Sequence, residues 1–296
     1  MKLVNALPAP LVDILVRRRA RLHETPIDRF CVRIAHDIPD YEDAFTLLHV
    51  AYVFQGIENV RGKTMRITPQ HVLPESTVFV AYEDDVMVGT MTVTLDSPAG
   101  LPLDKDYPEQ VKRMRDAGQR LVEYGSLAVV RRCWSSGVTN LLNAAAHWWS
   151  RHALGASHCI IGVNPKAVPW YRAVYRFRVM GEPRHHAELA APVQGMAQDL
   201  EEVEDFLERR FREPLANSVP VGLAYKTLEL PCVDLPRDTV GKDLTRWKLP
   251  RAVFRDLFVK KSDIIDSLDP AVRTYLEMWR SPRTLQGGDS LSGSRD

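Results

Sequence analysis

The hydrophobic pattern in the central part of the chain predicts two consecutive units of strand, turn and helix. The strands, 121–130 and 157–163, are mostly apolar runs of strand length that contain β-branched residues. Apolar side chains at helical spacing follow each turn, first after Gly137 and then over 166–178. Because a right-handed crossover joins such units, both turns are expected at the same end of one sheet. Backbone N–H groups at the start of each helix would face an anionic ligand there.

Further strands and helices are predicted on both sides of these units. The strands are 31–35, 76–82, 86–95 and 187–193, and the helices are 41–55, 109–117 and 200–211. Asp40 is the expected N-cap of helix 41–55. The segment 96–107, rich in Pro, Gly and Asp, is interpreted as a surface excursion. The polar segment 61–74 is either a mobile loop over a substrate or an ordinary solvated loop.

The chain is expected to divide into four segments. An amphipathic helix occupies 1–28, a core follows over 29–199, and an extension over 200–285 packs on the core. The last residues, 286–296, are rich in Gly, Ser and Asp and are expected to be disordered. The first helix is interpreted as a packing helix, and transient peripheral contact with an anionic membrane surface stays open as the alternative.

Composition excludes several classes of function. The 296 residues carry 39 Lys and Arg against 38 Asp and Glu, so a charge-driven interaction with nucleic acid is not expected. Four scattered cysteines without a C-x-x-C pair suggest free thiols in a reducing compartment. With no convincing secretion signal and no apolar run long enough to span a bilayer, the protein is predicted to be cytoplasmic. The histidines lack partners at metal-ligand spacing, so no metal site is predicted.

The second unit resembles a known superfamily. The pattern Asn164-x-x-Ala167-x-x-x-Tyr171 is similar to the second signature helix of the GCN5-related N-acyltransferases. The stretch 127–142 lies where that superfamily binds pantetheine and pyrophosphate. The resemblance implies an α/β fold with a mixed central sheet flanked by helices, here followed by a mostly helical C-terminal extension.

A narrower resemblance covers most of the core. The strand 123–129 resembles the Glu-x-Ser-x-x-Val strand of acyl-homoserine-lactone synthases. From about Arg29 to beyond Asp199, including 73–81 and 155–158, the chain is similar to the long-chain N-acyl amino acid synthases. This resemblance implies transfer of a long-chain fatty acyl group from acyl-carrier protein to the α-amine of a free amino acid. No cofactor is expected to stay bound.

Acyl transfer to an amine requires a base, a stabilised oxyanion and a protonated leaving group. Glu123 is the candidate base, because an acidic side chain in an apolar strand is costly unless it is paired or functional. Tyr171 is the candidate acid for the departing thiolate, as in relatives with the same motif. Backbone N–H groups of Ala128, Val129 and Val130 are expected to polarise the thioester carbonyl. The alternatives are a salt-bridged glutamate and a tyrosine that only packs.

The turn between the first strand and its helix departs from the superfamily pattern. It contains one glycine, Gly137, whereas the usual turn keeps two small residues that let the backbone approach a pyrophosphate. This favours the single phosphate of acyl-carrier protein as donor, with acyl-coenzyme A still open. The resemblance implies that pantetheine contacts Trp134, Ser135, Ser136, Gly137 and Asn164, in addition to the backbone of the strand. An arginine-rich rim around the turns would attract an acidic carrier, although a solvated charged face accounts for some of its members. The rim comprises Arg131, Arg132, Lys166, Arg172, Arg176, Arg178 and Arg184.

Arg66 is the candidate partner of the substrate carboxylate, because a guanidinium matches carboxylate geometry with two hydrogen bonds. Two other functions stay open. An acyl-homoserine-lactone-type synthase ranks second, because 90–92 lacks the arginine that those enzymes carry there. A non-catalytic module that binds an acyl carrier or a lipid on the same fold is the third.

Overall fold

The computed structural model describes residues 29–56, 64–134, 136–186, 191–210, 233–236 and 249–280. The predicted helix over 1–28, the tail over 286–296 and Ser135 lie outside these ranges. Within the described residues, no helix is both long enough and apolar enough to cross a bilayer.

One mixed sheet organises the molecule, and nine strands belong to it in the described ranges. They are β1 (Cys31–Ile34), β2 (Ser76–Glu83), β3 (Val86–Leu95), β4 (Leu121–Val129), β5 (His158–Val163), β6 (Arg178–Val179), β7 (Arg184–His186), β8 (Ala191–Asp199) and β9 (Val233–Asp234). The order across the sheet is β6-β8-β5-β4-β3-β2-β1-β9, with β7 paired to β8. Neighbouring strands are antiparallel, except that β4 runs parallel to β5 and β1 parallel to β9.

Helices cover both faces of the sheet. They are α1 (Ile38–Phe54), α2 (Pro108–Asp116), α3 (Val138–Trp148), α4 (Val168–Tyr175), α5 (Leu200–Arg210), α6 (Arg251–Val253) and α7 (Pro270–Arg280). A wider π-helical turn extends α3 through Trp149–Ala153 and another extends α6 through Phe254–Lys260. The predicted mixed sheet flanked by helices is confirmed.

The alternation of side chains along β4 divides the core between the two faces. Val122 and Tyr124 pack with Leu142 of α3 on one face. Leu121 faces the other side, where it meets Ile160 and Tyr107. β4 is therefore buried on both faces at its start, which explains why its sequence is a continuous apolar run interrupted by Glu123.

The N-cap prediction for α1 was wrong. The helix begins at Ile38, and the Asp37 side chain caps it by accepting a hydrogen bond from the Asp40 backbone N–H at 3.0 Å. Asp40 is buried instead, where it pairs with Arg33 and accepts a 2.6 Å hydrogen bond from the Tyr82 hydroxyl. The close group formed by His36, Asp37 and Asp40 thus has its buried carboxylate already occupied by an arginine.

The prediction that 96–107 is a surface excursion was also wrong. Leu101, Leu103 and Tyr107 are buried against the start of β4 and β5. The Tyr107 hydroxyl donates to the carbonyl of Glu182 at 2.8 Å, which anchors the loop to the far edge of the sheet. The loop is therefore part of the core and closes one side of the sheet over Glu123.

Residues 187–190 of the strand predicted at 187–193 lie outside the described ranges, and the strand extends beyond its predicted end. β8 begins at Ala191 and extends to Asp199, pairing with β5 along six residues. Pro192 and Gly195 weaken the strand pattern there. Gly195 is required by packing, because a Cβ at this position would lie 2.8 Å from ring carbons of Tyr107.

The C-terminal segment 249–280 packs against the outer side of α1. Phe258 contacts Phe45 with ring centroids 6.1 Å apart, and Lys261 forms an ion pair with Glu42. The Tyr275 hydroxyl donates to Glu75 at 2.6 Å. This segment therefore supports α1, the helix that borders the site described next.

Candidate active site

A cleft opens where β4 and β5 separate. The two strands are paired from Leu121 with His158 to Glu123 with Ile160, yet β4 continues to Val129. Residues 125–127 consequently stay partly exposed, although β4 lies in the middle of the sheet. A Cβ added to Gly125 would meet no atom within 4 Å. The parallel strands also bring their following turns, 131–137 and 164–167, to this same end of the sheet.

A β-bulge shapes the floor of the cleft. Thr92 pairs with Gly125 and Thr90 pairs with Ala128, so β4 contains one extra residue between them. Ser126 lies in the bulge with a φ of +51°, which is uncommon for a residue other than glycine. The bulge therefore re-aims β4 at the point where its pairing with β5 has ended.

Fewer backbone N–H groups of β4 are available to a ligand than the three that the sequence analysis expected. The N–H of Val130 already donates to the carbonyl of Val88 at 2.9 Å. Because N–H directions alternate along a strand, the N–H of Ala128 also turns toward β3. The N–H of Val129 lies between them and is directed to the open side, beside β5. Of the three residues, Val129 is therefore positioned to donate to a ligand in the cleft.

Glu123 lies at the last paired position before the cleft. Its side chain is 7% exposed, and Oε2 accepts a 2.8 Å hydrogen bond from the backbone N–H of Leu103. Burial, with a smaller contribution from nearby Asp104 and Asp106, raises the pKa of Glu123 to about 8. Such a carboxyl is close to half-ionised at a slightly alkaline pH, which suits a group that exchanges protons with an amine.

Tyr171 extends from α4 into the wall of the same region. Its ring packs edge-on against Phe177 with centroids 5.9 Å apart. Burial raises the pKa of Tyr171 to about 12, and Tyr52 and Cys159 contribute to the same shift. The phenol is therefore a neutral hydroxyl at physiological pH. Tyr171 packs against the core cluster that includes Cys159 and Ile161 of β5, one of the strands that border the cleft.

The turn after β4 presents an exposed aromatic group. Trp134 is 57% exposed, and its indole N–H donates to the carbonyl of Val129 at 2.9 Å. Its ring meets Phe54 of α1 edge-on, with centroids 6.2 Å apart, and the Arg131 guanidinium lies over the Phe54 ring. This group of three side chains, the entrance cluster, links the end of α1 to the turn.

The smaller residues of the two turns hold the turns themselves. The Ser136 hydroxyl donates to the carbonyl of Cys133 at 2.7 Å. Gly137, the N-cap residue immediately before α3, has a φ of +90°. The Asn164 side chain accepts a 3.0 Å hydrogen bond from the Lys166 N–H and thereby caps its own turn. These side chains shape the backbone that a pantetheine arm would follow.

Arg66 lies on the α1 side of the cleft. Its guanidinium stacks over the ring of Tyr52 at 4.3 Å, and Tyr52 is an electrostatic neighbour of Tyr171. This position beside Tyr52 of α1 is suitable for a cation that orients an acceptor substrate.

Sequence comparison adds the identity of the family. A family model described as N-acyl amino acid synthase FeeM matches residues 43–199, more than half of the chain. The chain belongs to this family of N-acyl amino acid synthases. No curated protein matches it.

One solved structure shares the fold, and two others are less similar. FeeM, an N-acyl amino acid synthase from uncultured soil microbes, superposes with a TM-score of 0.51 at 20% identity and covers 60% of this chain and 93% of its own. The coenzyme A-dependent acyl-homoserine lactone synthase BjaI gives a TM-score of 0.47 at 16% identity, with 70% and 95% covered. YncA from Salmonella typhimurium, solved with acetyl-coenzyme A, gives 0.40 at 14% identity, with 64% and 99% covered. The family match shows that the chain is an acyltransferase, and the likeness to FeeM confirms the predicted GCN5-related N-acyltransferase fold.

Two residues that the sequence analysis did not assign to the site, His71 and Ser126, lie beside the cleft. His71 is 1% exposed and packs against Phe45. Its Nδ1 accepts the backbone N–H of Thr68 at 3.0 Å, and its Nε2 is 3.0 Å from the Ser126 hydroxyl. His71 belongs to the polar segment that was left open as a mobile or solvated loop. The part of that segment described here, 64–74, instead packs under α1.

The arginine-rich rim is partly neutralised within the synthase. Arg132 forms an ion pair with Glu83, and Arg178 pairs with Glu202 at 2.6 Å. The Arg184 guanidinium covers the ring of Tyr107. These three arginines therefore make contacts within the protein that stabilise the fold. Arg131 and Lys166, one on each turn, are exposed.

Proposed function

We propose that this synthase transfers a long-chain fatty acyl group from the phosphopantetheine of acyl-carrier protein to the α-amine of a free amino acid, giving an N-acyl amino acid. The observation that carries the proposal is the buried carboxyl of Glu123 at the point where β4 and β5 separate. Membership of the N-acyl amino acid synthase family supports the same class of product.

Glu123 accepts the proton of the amine in this mechanism. The amine nitrogen bonds to the thioester carbonyl carbon, and the π electrons of the carbonyl move to its oxygen. When this tetrahedral species collapses, the C–S bond breaks and its electron pair leaves with sulfur. A carboxylate with a pKa near 8 is a stronger base than an exposed glutamate, so it withdraws the proton more effectively.

Val129 and Tyr171 act on the two negative charges that develop during the reaction, one on the carbonyl oxygen and one on the departing sulfur. The Val129 N–H on the open side of β4 supports hydrogen bonding to the oxyanion. A tyrosine with a pKa of about 12 is a weaker acid than a thiol with an ordinary pKa near 8.5, so complete proton transfer to the thiolate is uphill. Tyr171 therefore hydrogen-bonds the departing sulfur. The thiolate takes one proton from solvent and Glu123 releases to solvent the proton that it accepted from the amine, so the protons balance.

The donor enters past the entrance cluster. Exposed aromatic rings of Trp134 and Phe54 beside Arg131 suit a pantetheine arm attached to an acidic carrier. The single glycine of the turn, Gly137, supports one phosphate rather than a pyrophosphate. Ser136 and Asn164 shape the same path through their turn hydrogen bonds.

The acceptor lies on the α1 side. Arg66 pairs with the carboxylate of the amino acid, which places the amine over β4 near Glu123. The reaction is assigned to the cytoplasm, where fatty acyl carriers and free amino acids are available. The free thiols of Cys31, Cys133 and Cys159 support a reducing compartment.

Incubation of the purified protein with one acyl chain on two donors, acyl-carrier protein and coenzyme A, tests the proposal. Each donor is offered a mixture of the common amino acids over a series of chain lengths, and products are identified by mass spectrometry. We expect an N-acyl amino acid, formed faster from the carrier protein, and formed at least about 100-fold more slowly by the control variant Glu123→Gln. Faster transfer from coenzyme A would overturn the donor assignment. Absence of any acylated amino acid would overturn the activity.

A further inference from the structure

Ser126 combines three features that have no role in the mechanism so far. It lies in the β4 bulge, three residues after Glu123, where the pairing of β4 with β5 has ended. It has a φ of +51°, a left-handed backbone conformation that is strained for a residue other than glycine. It is also partly exposed to the cleft. The fold therefore maintains a strained serine at an accessible point beside the buried carboxyl.

The hydrogen-bond geometry defines the direction of the Ser126 hydroxyl. The backbone N–H of Thr68 can only donate, so Nδ1 of His71 must accept, and the ring proton of neutral His71 is on Nε2. Burial and the nearby Arg66 lower the pKa of His71 to about 3, so the ring stays neutral at physiological pH. The Nε2–H therefore donates to the Ser126 oxygen at 3.0 Å, and the serine proton points elsewhere.

The direction of the hydrogen bond from His71 to Ser126 excludes one role for the serine and supports another. An imidazole that activates a serine nucleophile must accept the serine proton, but His71 Nε2 already holds a hydrogen. Ser126 therefore does not form an acyl-enzyme by that route. The chain from Thr68 N–H through His71 to Ser126 instead polarises the serine O–H as a donor, because each hydrogen bond strengthens the next.

We propose that Ser126 is a catalytic residue that donates its hydroxyl hydrogen bond to the thioester oxygen as it becomes an oxyanion, and that His71 is the positioning residue that directs this hydroxyl. Ser126 and the Val129 N–H then form the two donors of one oxyanion site on the bulged segment of β4. The serine stabilises charge and keeps its proton. The inference requires N-acyl transfer and is independent of which carrier or amino acid is used.

The position along the strand agrees with this role. Three residues of strand span at most ~10 Å, so an amine lying between Glu123 and Ser126 has room to reach both groups directly or through one water. The open space at Gly125 lies between them. A thioester oxygen near Ser126 and Val129 thus places its carbon within reach of an amine that gives its proton to Glu123.

Ser126→Gly provides a clean test, because glycine prefers the φ that serine adopts under strain. We expect the variant to fold with an unchanged or higher melting temperature and with a kcat about 100-fold lower, the usual effect of removing one oxyanion donor. The KM for the acyl donor should change little. Asp85→Gly is the matched control, because Asp85 has a φ of +62° in the exposed β2–β3 turn, and its kcat should be unaffected.

A double-variant cycle tests His71. His71→Leu removes the Nε2–H donor and should lower kcat, whereas His71→Gln, which keeps an amide donor, should restore part of it. Combining His71→Leu with Ser126→Gly should cost no more than Ser126→Gly alone, because both changes remove the same hydrogen bond. A merely structural His71 would give additive losses that follow the melting temperature.

Thiol release from the acyl donor in the presence of amine is the readout. A Ser126→Gly variant that keeps more than about a third of the wild-type kcat would overturn the proposal while leaving the activity intact, since one donor is worth about 100-fold. Additive losses in the double variant would overturn the role of His71. A wild-type protein that releases no thiol with any donor would overturn both the proposed function and this inference.

Discussion

Replacing Glu123 by Gln should make the protein less sensitive to alkaline pH. Glutamine keeps an oxygen that accepts the Leu103 N–H, but it cannot ionise. In the wild type the pKa of Glu123 rises from 4.5 to about 8 on folding, mainly through burial. Below pH 4.5 both the folded and unfolded states hold the proton. Between the two pKa values only the folded state holds it, so stability is lost as pH rises.

The magnitude follows from the size of this shift. About 3.5 pKa units correspond to as much as about 5 kcal/mol, reached above about pH 8. Urea unfolding of both proteins at about pH 5, pH 7 and pH 9 measures the difference, because groups common to both cancel. We expect Glu123→Gln to gain stability over the wild type step by step with pH. The exposed Glu182→Gln is the matched control and should show no such gain.

Equal pH dependence in the wild type and in Glu123→Gln would refute this reasoning. It would mean that Glu123 ionises in the folded protein as easily as in the unfolded chain. The carboxyl would then be hydrated, and the argument that burial makes it a stronger base would fail.

Three further changes have defined outcomes. Gly195→Ala should cost about 1–3 kcal/mol in urea unfolding, because its Cβ would overlap the Tyr107 ring, whereas Gly125→Ala, which faces open space, should cost little. Trp134→Ala should raise the KM for the acyl donor about tenfold, because it removes about 1.4 kcal/mol of ring contacts, and should change kcat less. Val259 is similarly exposed, and Val259→Ala should leave this KM unchanged. Arg66→Gln should raise the KM for an amino acid about tenfold or more, because a charge-assisted hydrogen bond contributes about 1.5–3 kcal/mol. The KM for the corresponding amine, which has no carboxylate, should not change.

The strands and helices of the core were predictable because their patterns are local. The apolar runs that became β4 and β5 and the helical spacing of α3 determine structure within a few residues of themselves. The β2–β3 hairpin was equally clear, because three polar residues, 83–85, separate two strand patterns. The placement of Glu123 on β4, before a turn, followed from the same local pattern.

Features that depend on distant contacts were not predictable. Leu103 lies in a segment with turn composition, yet it donates to Glu123 because Tyr107 anchors that segment across the sheet. His71 is a single polar residue in a polar stretch, and it is buried against Phe45 of α1, which in turn contacts Phe258 of the C-terminal segment. The bulge at Ser126 depends on the register with β3, which no pattern within β4 reveals. In each case tertiary packing decided the outcome.

The pH dependence of acyl transfer tests the central claim most directly. The rate constant kcat/KM is measured from acyl-carrier protein to an amino acid across neutral and alkaline pH, for the wild type and for Glu123→Gln. Because the substrate amine titrates in both, only the difference reports on Glu123. The account predicts that the ratio of the wild-type rate to the variant rate rises with a midpoint near pH 8 and levels off at higher pH, where the variant is about 100-fold or more slower. A variant with the wild-type rate and the same rise would contradict it.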